Sequence, residues 1–71
     1  MRAREVLRRI DSAKHCVRVR QKGSHILIKC AGKGHSCSTV VPVHPGDLGS
    51  GLLRAIERDL EPCLGKGWLH E

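Results

Sequence analysis

A basic segment with a single histidine occupies residues 18–25. It reads Arg-Val-Arg-Gln-Lys-Gly-Ser-His and so combines three cations, a glycine–serine turn and one imidazole. An imidazole with its ordinary pKa of about 6.5 can exchange protons near neutral pH, and cations stabilise the charge that develops on a phosphate. Cleavage of an RNA phosphodiester needs both functions. The segment therefore predicts a site for phosphodiester chemistry.

We expect His25 to transfer protons. The candidate phosphate-binding residues are Arg18, Arg20, Lys22, Gly23, Ser24 and Lys29. The pattern shows no clear second proton donor, although His35 and His44 are possible. A structural interpretation stays open, in which His25 is an exposed strand residue and Gly23 and Ser24 only form a turn.

The charge is distributed unevenly along the 71-residue chain. Residues 1–37 contain ten Lys or Arg and two Asp or Glu, which gives a net charge of +8. Residues 38–71 contain three Lys or Arg and five Asp or Glu, which gives a net charge of −2. The first half therefore favours a polyanion such as nucleic acid as its partner. A solvated basic face that only aids solubility is the alternative.

Cofactor and metal sites are not indicated. The basic half has only two acids, Glu5 and Asp11, which argues against a two-metal nuclease. Cys30, His35, Cys37 and His44 have irregular spacing for a zinc site. Because no apolar segment follows the basic start and no apolar run approaches about 20 residues, we expect no membrane span, a cytoplasmic location and reduced cysteines.

Periodicity predicts five elements in a single domain spanning 1–71. A helix is expected over about 3–13, strands over 16–21, 25–30 and 36–43, and a second helix from an N-cap at Ser50 to near Leu60, where Pro62 should stop it. Residues 61–71 then form a tail, and the Trp68 ring should fold back over the core. Short connections favour an α+β fold, α-β-β-β-α, with a three-stranded antiparallel sheet and both helices on one side.

Strand alternation predicts which side chains face the helices. Val17, Val19, Ile26 and Ile28 should point towards them. By the same parity, Arg18, Arg20, His25 and Lys29 should share the open side of the sheet. The chemistry-bearing residues would then lie together on one solvent-facing surface.

The chain resembles the HicA toxins of toxin–antitoxin pairs, over about residues 2–60. The matching segments are Arg4-Glu5-Val6-Leu7, Arg20-Gln21-Lys22-Gly23-Ser24-His25, Val41-Pro42-Val43-His44 and Gly51-Leu52-Leu53-Arg54-Ala55-Ile56. The chain departs from the family in having Ile28 where an aromatic residue is common. The resemblance implies a fold like that of double-stranded-RNA-binding domains.

The resemblance also implies an activity and a partner. Such toxins are metal-independent endoribonucleases that cleave mRNA, with the histidine of the Gly-Ser-His motif, here His25, as the catalytic residue. A cognate HicB-type antitoxin covers the site and neutralises it. No stable binding of DNA by this chain alone is expected. A non-catalytic RNA-binding module of the same fold, and a degenerate toxin that only binds its antitoxin, are the alternatives.

Overall fold

The chain forms a helix, a three-stranded sheet and a second helix. In the computed structural model, which describes residues 1–70, the elements are α1 (Ala3–Asp11), β1 (Cys16–Lys22), β2 (His25–Gly32), β3 (His35–Pro42), α2 (Ser50–Leu64) and a short 3₁₀ helix (Trp68–His70). The sheet order is β1-β2-β3 and both pairings are antiparallel. The predicted α-β-β-β-α order and α+β class are confirmed.

One hydrophobic core lies between the two helices and one side of the sheet. Its fully buried aliphatic side chains are Val6, Ile10, Ile28, Val41, Ile56, Leu60 and Leu69. Ile28 lies at the centre of this layer, so an aliphatic residue fills a core position there. The other side of the sheet has no helix packed on it and forms the open side.

Two-residue turns join the strands. Gly23 has a φ of +60° at the first turn position between β1 and β2, and Lys33 and Gly34 have φ values of 52° and 77° between β2 and β3. Positive φ values at these positions match the right-handed twist of the flanking strands. The first turn is therefore tighter than the predicted connection over 21–24.

A β-bulge in β1 overturns the predicted parity of that strand. Arg18 lies opposite Ile28 and Arg20 lies opposite Leu27, so Val19 is an extra residue between two partners that are neighbours on β2. One extra residue reverses the side on which all preceding side chains lie. Val17 therefore lies on the open side and is 62% exposed, and Arg18 lies on the helix-covered side. The predictions for these two residues are wrong, and so is that for Val19, which is 46% exposed in the bulge, whereas those for Ile26 and Ile28 are confirmed.

The cysteines form two disulfides, Cys16–Cys30 and Cys37–Cys63, so the prediction of reduced thiols is wrong. The first bond joins residues that the β1–β2 register places directly opposite each other, and the second ties β3 to α2. Separations of 14 and 26 residues do not reveal either contact, because both depend on strand register and helix packing.

The second helix extends beyond its predicted end. Pro62 lies inside α2, which continues to Leu64 and ends at Gly65, whose φ is 98°. A proline near the end of a helix removes only one backbone hydrogen bond, so burial of Cys63 can outweigh it. Gly49, not Ser50, is the N-cap. The prediction that Trp68 packs on the core is confirmed, since it is 8% exposed and its Nε1 donates to the Glu57 carbonyl at 2.9 Å.

Gly32 marks the closest approach of α2 to the sheet. A Cβ atom at this position would lie 2.6 Å from the backbone oxygen of Cys63. Any larger residue would push the last turn of α2 away from β2. Within residues 1–70, neither α-helix combines the length and hydrophobicity that crossing a bilayer requires.

Candidate active site on the open side of the sheet

Strand register arranges the open side as cross-strand rows of three residues. One row contains Lys22, His25 and Pro42, and the next contains Arg20, Leu27 and Val40. Directly opposed side chains on adjacent strands have Cβ atoms about 4.5–5.5 Å apart. The two rows therefore place two cations and the imidazole side by side.

A cavity of about 170 Å³ lies between these rows. It is lined by Arg20, Lys22, His25, Leu27 and Val40. The His25 side chain is exposed, so solvent and substrate can reach its ring. The structure thus brings together three of the candidate site residues, Arg20, Lys22 and His25, in one depression.

Gly23 and Ser24 form the turn that holds Lys22 opposite His25. The Gln21 side-chain amide donates to the Gly23 carbonyl at 3.0 Å, and the Val43 amide donates to the Ser24 carbonyl. These bonds tie the turn to β1 on one side and to the segment after β3 on the other. The contribution of the turn to the site is therefore to hold Lys22 and His25 directly opposite each other on adjacent strands.

Arg18 does not belong to this cavity. Its guanidinium donates from Nε to Asp11 Oδ1 at 3.2 Å and from Nη2 to Asp11 Oδ2. This hydrogen-bonded carboxylate on α1 raises the pKa of Arg18 above its ordinary value. A bulge that turns Arg18 towards the helix side has therefore replaced a phosphate contact with an intramolecular ion pair.

Lys29 and His35 lie farther from His25. Lys29 is on the open side four residues along β2, which corresponds to about 13 Å, and lines a separate depression with Ser36 and Ser38. His35 pairs with Gly32, at the opposite end of β2 from His25, about 23 Å along the strand. Lys29 can contact a more distant phosphate, but His35 is too far away to share a proton transfer with His25.

His44 lies at the same end of the sheet as His25. It follows Val43, whose amide bonds to Ser24, and its Nδ1 lies 3.3 Å from the Pro45 carbonyl oxygen. It lines a different cavity together with Arg2 and Arg4. Of the two predicted candidates for a second proton donor, only His44 is placed near the Gly-Ser turn.

The electrostatics of the sheet favour an anion. The segment 16–42, which contains all three strands, has five Lys or Arg and no Asp or Glu. Within the described residues 1–70, neither Arg20 nor Lys22 has an ion-pair partner. Their charges are therefore available to a ligand instead of being neutralised within the protein.

Leu27 and Val40 are parts of the cavity that sequence reasoning missed. Alternation along β2 puts Leu27 on the same side as His25, but an aliphatic residue there carries no chemical signal. Val40 is 44% exposed, which is high for a valine in a strand. Two aliphatic residues opposite each other on a solvent-facing sheet are the signal that could have identified them.

The metal-ligand clusters that hold catalytic ions are not seen at this surface. No group of three or more His, Cys, Asp or Glu side chains within residues 1–70 is arranged to bind a metal ion. The four residues considered for a zinc site, Cys30, His35, Cys37 and His44, do not lie together. Cys30 and Cys37 are in different disulfides, and His44 lies at the other end of β3 from His35.

Comparison with known proteins gives one family. The sequence model described as "HicA toxin of bacterial toxin-antitoxin" matches residues 3–61, which include α1, the complete sheet and most of α2. No curated protein and no solved structure matches the chain. The match covers most of the 71 residues and includes every residue that lines the His25 cavity. The chain therefore belongs to the HicA toxin family of bacterial toxin–antitoxin systems.

Proposed function

We propose that this HicA toxin is an endoribonuclease that cleaves mRNA and uses His25 as its catalytic residue. The observation that supports this proposal is the single exposed imidazole in a cavity whose other polar lining residues are Arg20 and Lys22. A base beside unpaired cations suits a substrate that must lose a proton next to a phosphate.

The proposed reaction is an internal transesterification. His25 accepts the proton of the ribose 2′-hydroxyl, and the 2′-oxygen forms a bond to the adjacent phosphorus. The bond from phosphorus to the 5′-oxygen of the next nucleotide breaks, and that oxygen takes a proton from water or from His44. The products are a 2′,3′-cyclic phosphate and a 5′-hydroxyl end.

Lys22 and Arg20 would stabilise the charge on the non-bridging phosphate oxygens during this step. Lys22 lies directly opposite His25, and this pairing supports a contact of Lys22 with the scissile phosphate. Arg20 lies one row farther along the sheet and contacts that phosphate or the next one. Preorganised donors of this kind contribute about 10²- to 10³-fold to the rate.

We propose that no metal ion takes part. The strands that build the cavity have no carboxylate, whereas Mg²⁺ in nucleic-acid enzymes is held by carboxylate oxygens. The requirement for a 2′-hydroxyl nucleophile also means that DNA is not a substrate, and we expect no stable DNA complex of this chain alone.

The partner is proposed to be an antitoxin of the HicB type that covers the open side of the sheet. The unpaired charges of Arg20 and Lys22 would attract carboxylates of such a protein. Arg18, which the sequence placed on this surface, is bound to Asp11 and is not part of the proposed contact. We propose the cytoplasm, where mRNA is translated, as the location of both proteins.

The proposal is tested with a purified chain and a fluorescent single-stranded RNA in EDTA. We expect the wild type to generate cyclic-phosphate ends, and His25→Ala to cleave about 10²- to 10⁴-fold more slowly while RNA affinity is retained. His35→Ala is the matched control, because His35 is also an exposed strand-end histidine but lies at the far end of the sheet.

Two results would contradict the proposal. Binding without cleavage by the wild type would indicate the alternative function, a non-catalytic RNA-binding module. Equal cleavage by the wild type and His25→Ala would show that another group or a contaminant performs the reaction.

A further inference from the structure

The floor of the His25 cavity is apolar. Leu27 and Val40 are cross-strand partners on the open side, and their row is completed by Arg20. The cations line one flank of the cavity, from β1, whereas the aliphatic pair comes from β2 and β3. A phosphate needs only the cationic flank, so the proposed chemistry leaves the aliphatic pair without a role.

We propose that Leu27 and Val40 form a nucleobase-binding subsite beside the scissile phosphate. This inference rests on the proposed function, because it takes the polyanion on this surface to be RNA. A nucleobase is the apolar, planar part of a nucleotide. It would lie flat on the two aliphatic side chains while the phosphate next to it contacts Lys22.

The size of the cavity supports one planar ring. Its volume is about 170 Å³. This is more space than a phosphate oxygen requires and suits a single heterocycle. Arg20 borders the apolar pair, and a guanidinium group can stack on a base or donate hydrogen bonds to its edge.

The arrangement of rows matches the order of groups along a nucleotide. The row with His25 and Lys22 would act on the sugar and phosphate, and the adjoining row with Leu27 and Val40 would contact the base. A base held in this position would orient the 2′-hydroxyl towards His25. The subsite would therefore influence which nucleotide is cleaved as well as affinity.

The experiment measures the contribution of bases to binding, independently of cleavage. The first probe is a fluorescent 2′-O-methyl RNA octamer containing each base twice, which cannot be cleaved because its 2′-oxygen is blocked. The second is the same ribose–phosphate backbone without bases. For the wild type at fixed salt, we expect the base-free probe to bind about tenfold more weakly.

Leu27→Ala and Val40→Thr remove apolar contact from the floor. Leu27→Ala removes three carbon atoms. Since each buried CH₂ contributes about fourfold to affinity, this loss is large enough to remove most of the tenfold ratio, and we expect a ratio of about twofold or less, with a smaller reduction for Val40→Thr. Val17→Thr is the matched control, because Val17 is also an exposed valine of the open side but lies outside the cavity. Its ratio should equal that of the wild type.

Three outcomes would overturn the subsite. Equal binding of the two probes by the wild type would show that bases make no contact. Equal ratios for the wild type, Leu27→Ala and Val40→Thr, each shown by circular dichroism to be folded, would place the bases elsewhere. Unchanged ratios together with weaker antitoxin binding by Leu27→Ala would assign the aliphatic pair to the protein partner. Absence of RNA cleavage by the wild type would count against the proposed nuclease but not against a measured base contribution.

Discussion

The guanidinium of Arg18 binds the carboxylate of Asp11 on α1, while Arg20, two residues along β1, lies on the opposite side of the sheet. The extra residue Val19 separates the two arginines. Arg18 therefore connects β1 to the first helix, and Arg20 faces solvent beside His25. Two residues of the same type in one strand thus have different surroundings, an ion pair with a helix for Arg18 and solvent for Arg20.

Substitution of each arginine should separate these effects. Arg18→Ala should lower the free energy of unfolding by up to about 1 kcal/mol, because the pair with Asp11 is exposed, and should leave RNA affinity unchanged. Arg20→Ala should weaken RNA binding and reduce the slope of log K against log salt by about 1, with little effect on stability. Chemical denaturation and salt-dependent anisotropy are the measurements. A loss of RNA affinity in Arg18→Ala equal to that in Arg20→Ala would contradict the assignment.

The two lysines of the open side should differ in the kinetic step they affect. Lys22 lies opposite His25, so Lys22→Gln should lower kcat by about 10²-fold or more through loss of charge stabilisation. Lys29 lies about 13 Å away, so Lys29→Gln should raise KM with kcat nearly unchanged. Single-turnover and steady-state cleavage of the same RNA distinguish the two effects. An equal fall in kcat for both variants would argue against a direct contact of Lys22 with the scissile phosphate.

Removal of a disulfide should reduce stability without reducing catalysis. The Cys37–Cys63 bond closes a loop with a sequence separation of 26, and such a cross-link contributes about 2–4 kcal/mol. No cysteine lines the His25 cavity. The double variant Cys37→Ser, Cys63→Ser should therefore unfold at a lower temperature, yet cleave RNA with unchanged kcat/KM at temperatures where it is folded.

The cysteine prediction is checked by thermal melts and by cleavage assays with and without a reductant. The wild type treated with reductant is the control, and it should also unfold at a lower temperature while its kcat/KM stays unchanged. If the folded variant loses activity in proportion to its loss of stability, the second helix has a closer connection to the candidate active site than the contacts indicate.

The close contact of α2 with β2 predicts opposite effects for two glycines. Gly32→Ala should lower the free energy of unfolding by about 1–3 kcal/mol, because its Cβ would lie 2.6 Å from a backbone oxygen. Gly51→Ala, in the first turn of α2 with no neighbour within 4 Å of its Cβ position, should raise it by about 0.5–1 kcal/mol. Denaturant titration measures both values. A neutral Gly32→Ala would show that the end of α2 moves at little cost.

Local sequence pattern was sufficient to predict much of the fold and the exposure of His25 on the open side of the sheet. The Gly-Ser turn and the strict alternation of β2 predicted that His25 is exposed on one side of the sheet and that Ile26 and Ile28 are buried on the other. The bulge at Val19 could not be predicted, because an extra residue in a strand of alternating valines and arginines leaves the local composition unchanged. It depends on the pairing of β1 with β2, which is a tertiary property.

The contrast between local pattern and tertiary contacts also explains why the disulfides and the end of α2 differ from their predictions. The disulfides depend on which strand positions lie opposite each other, and spacing alone does not give this information. Pro62 is a strong signal for the end of a helix, but packing of Cys63 and Leu64 extends α2 by one further turn. Local propensity was outweighed by burial at that position.

Both cross-links and all the packed hydrophobic layers lie beneath the sheet, and the reactive groups lie above it. Successive side chains of a strand point to opposite sides of the sheet. The same three strands therefore contribute both to the hydrophobic core and to the solvent-exposed face with the candidate site. Mutations that change stability can accumulate at the core-facing positions, while mutations that change ligand specificity can accumulate at the positions of the open side. In a chain of 71 residues, this division allows stability and ligand specificity to change independently of each other.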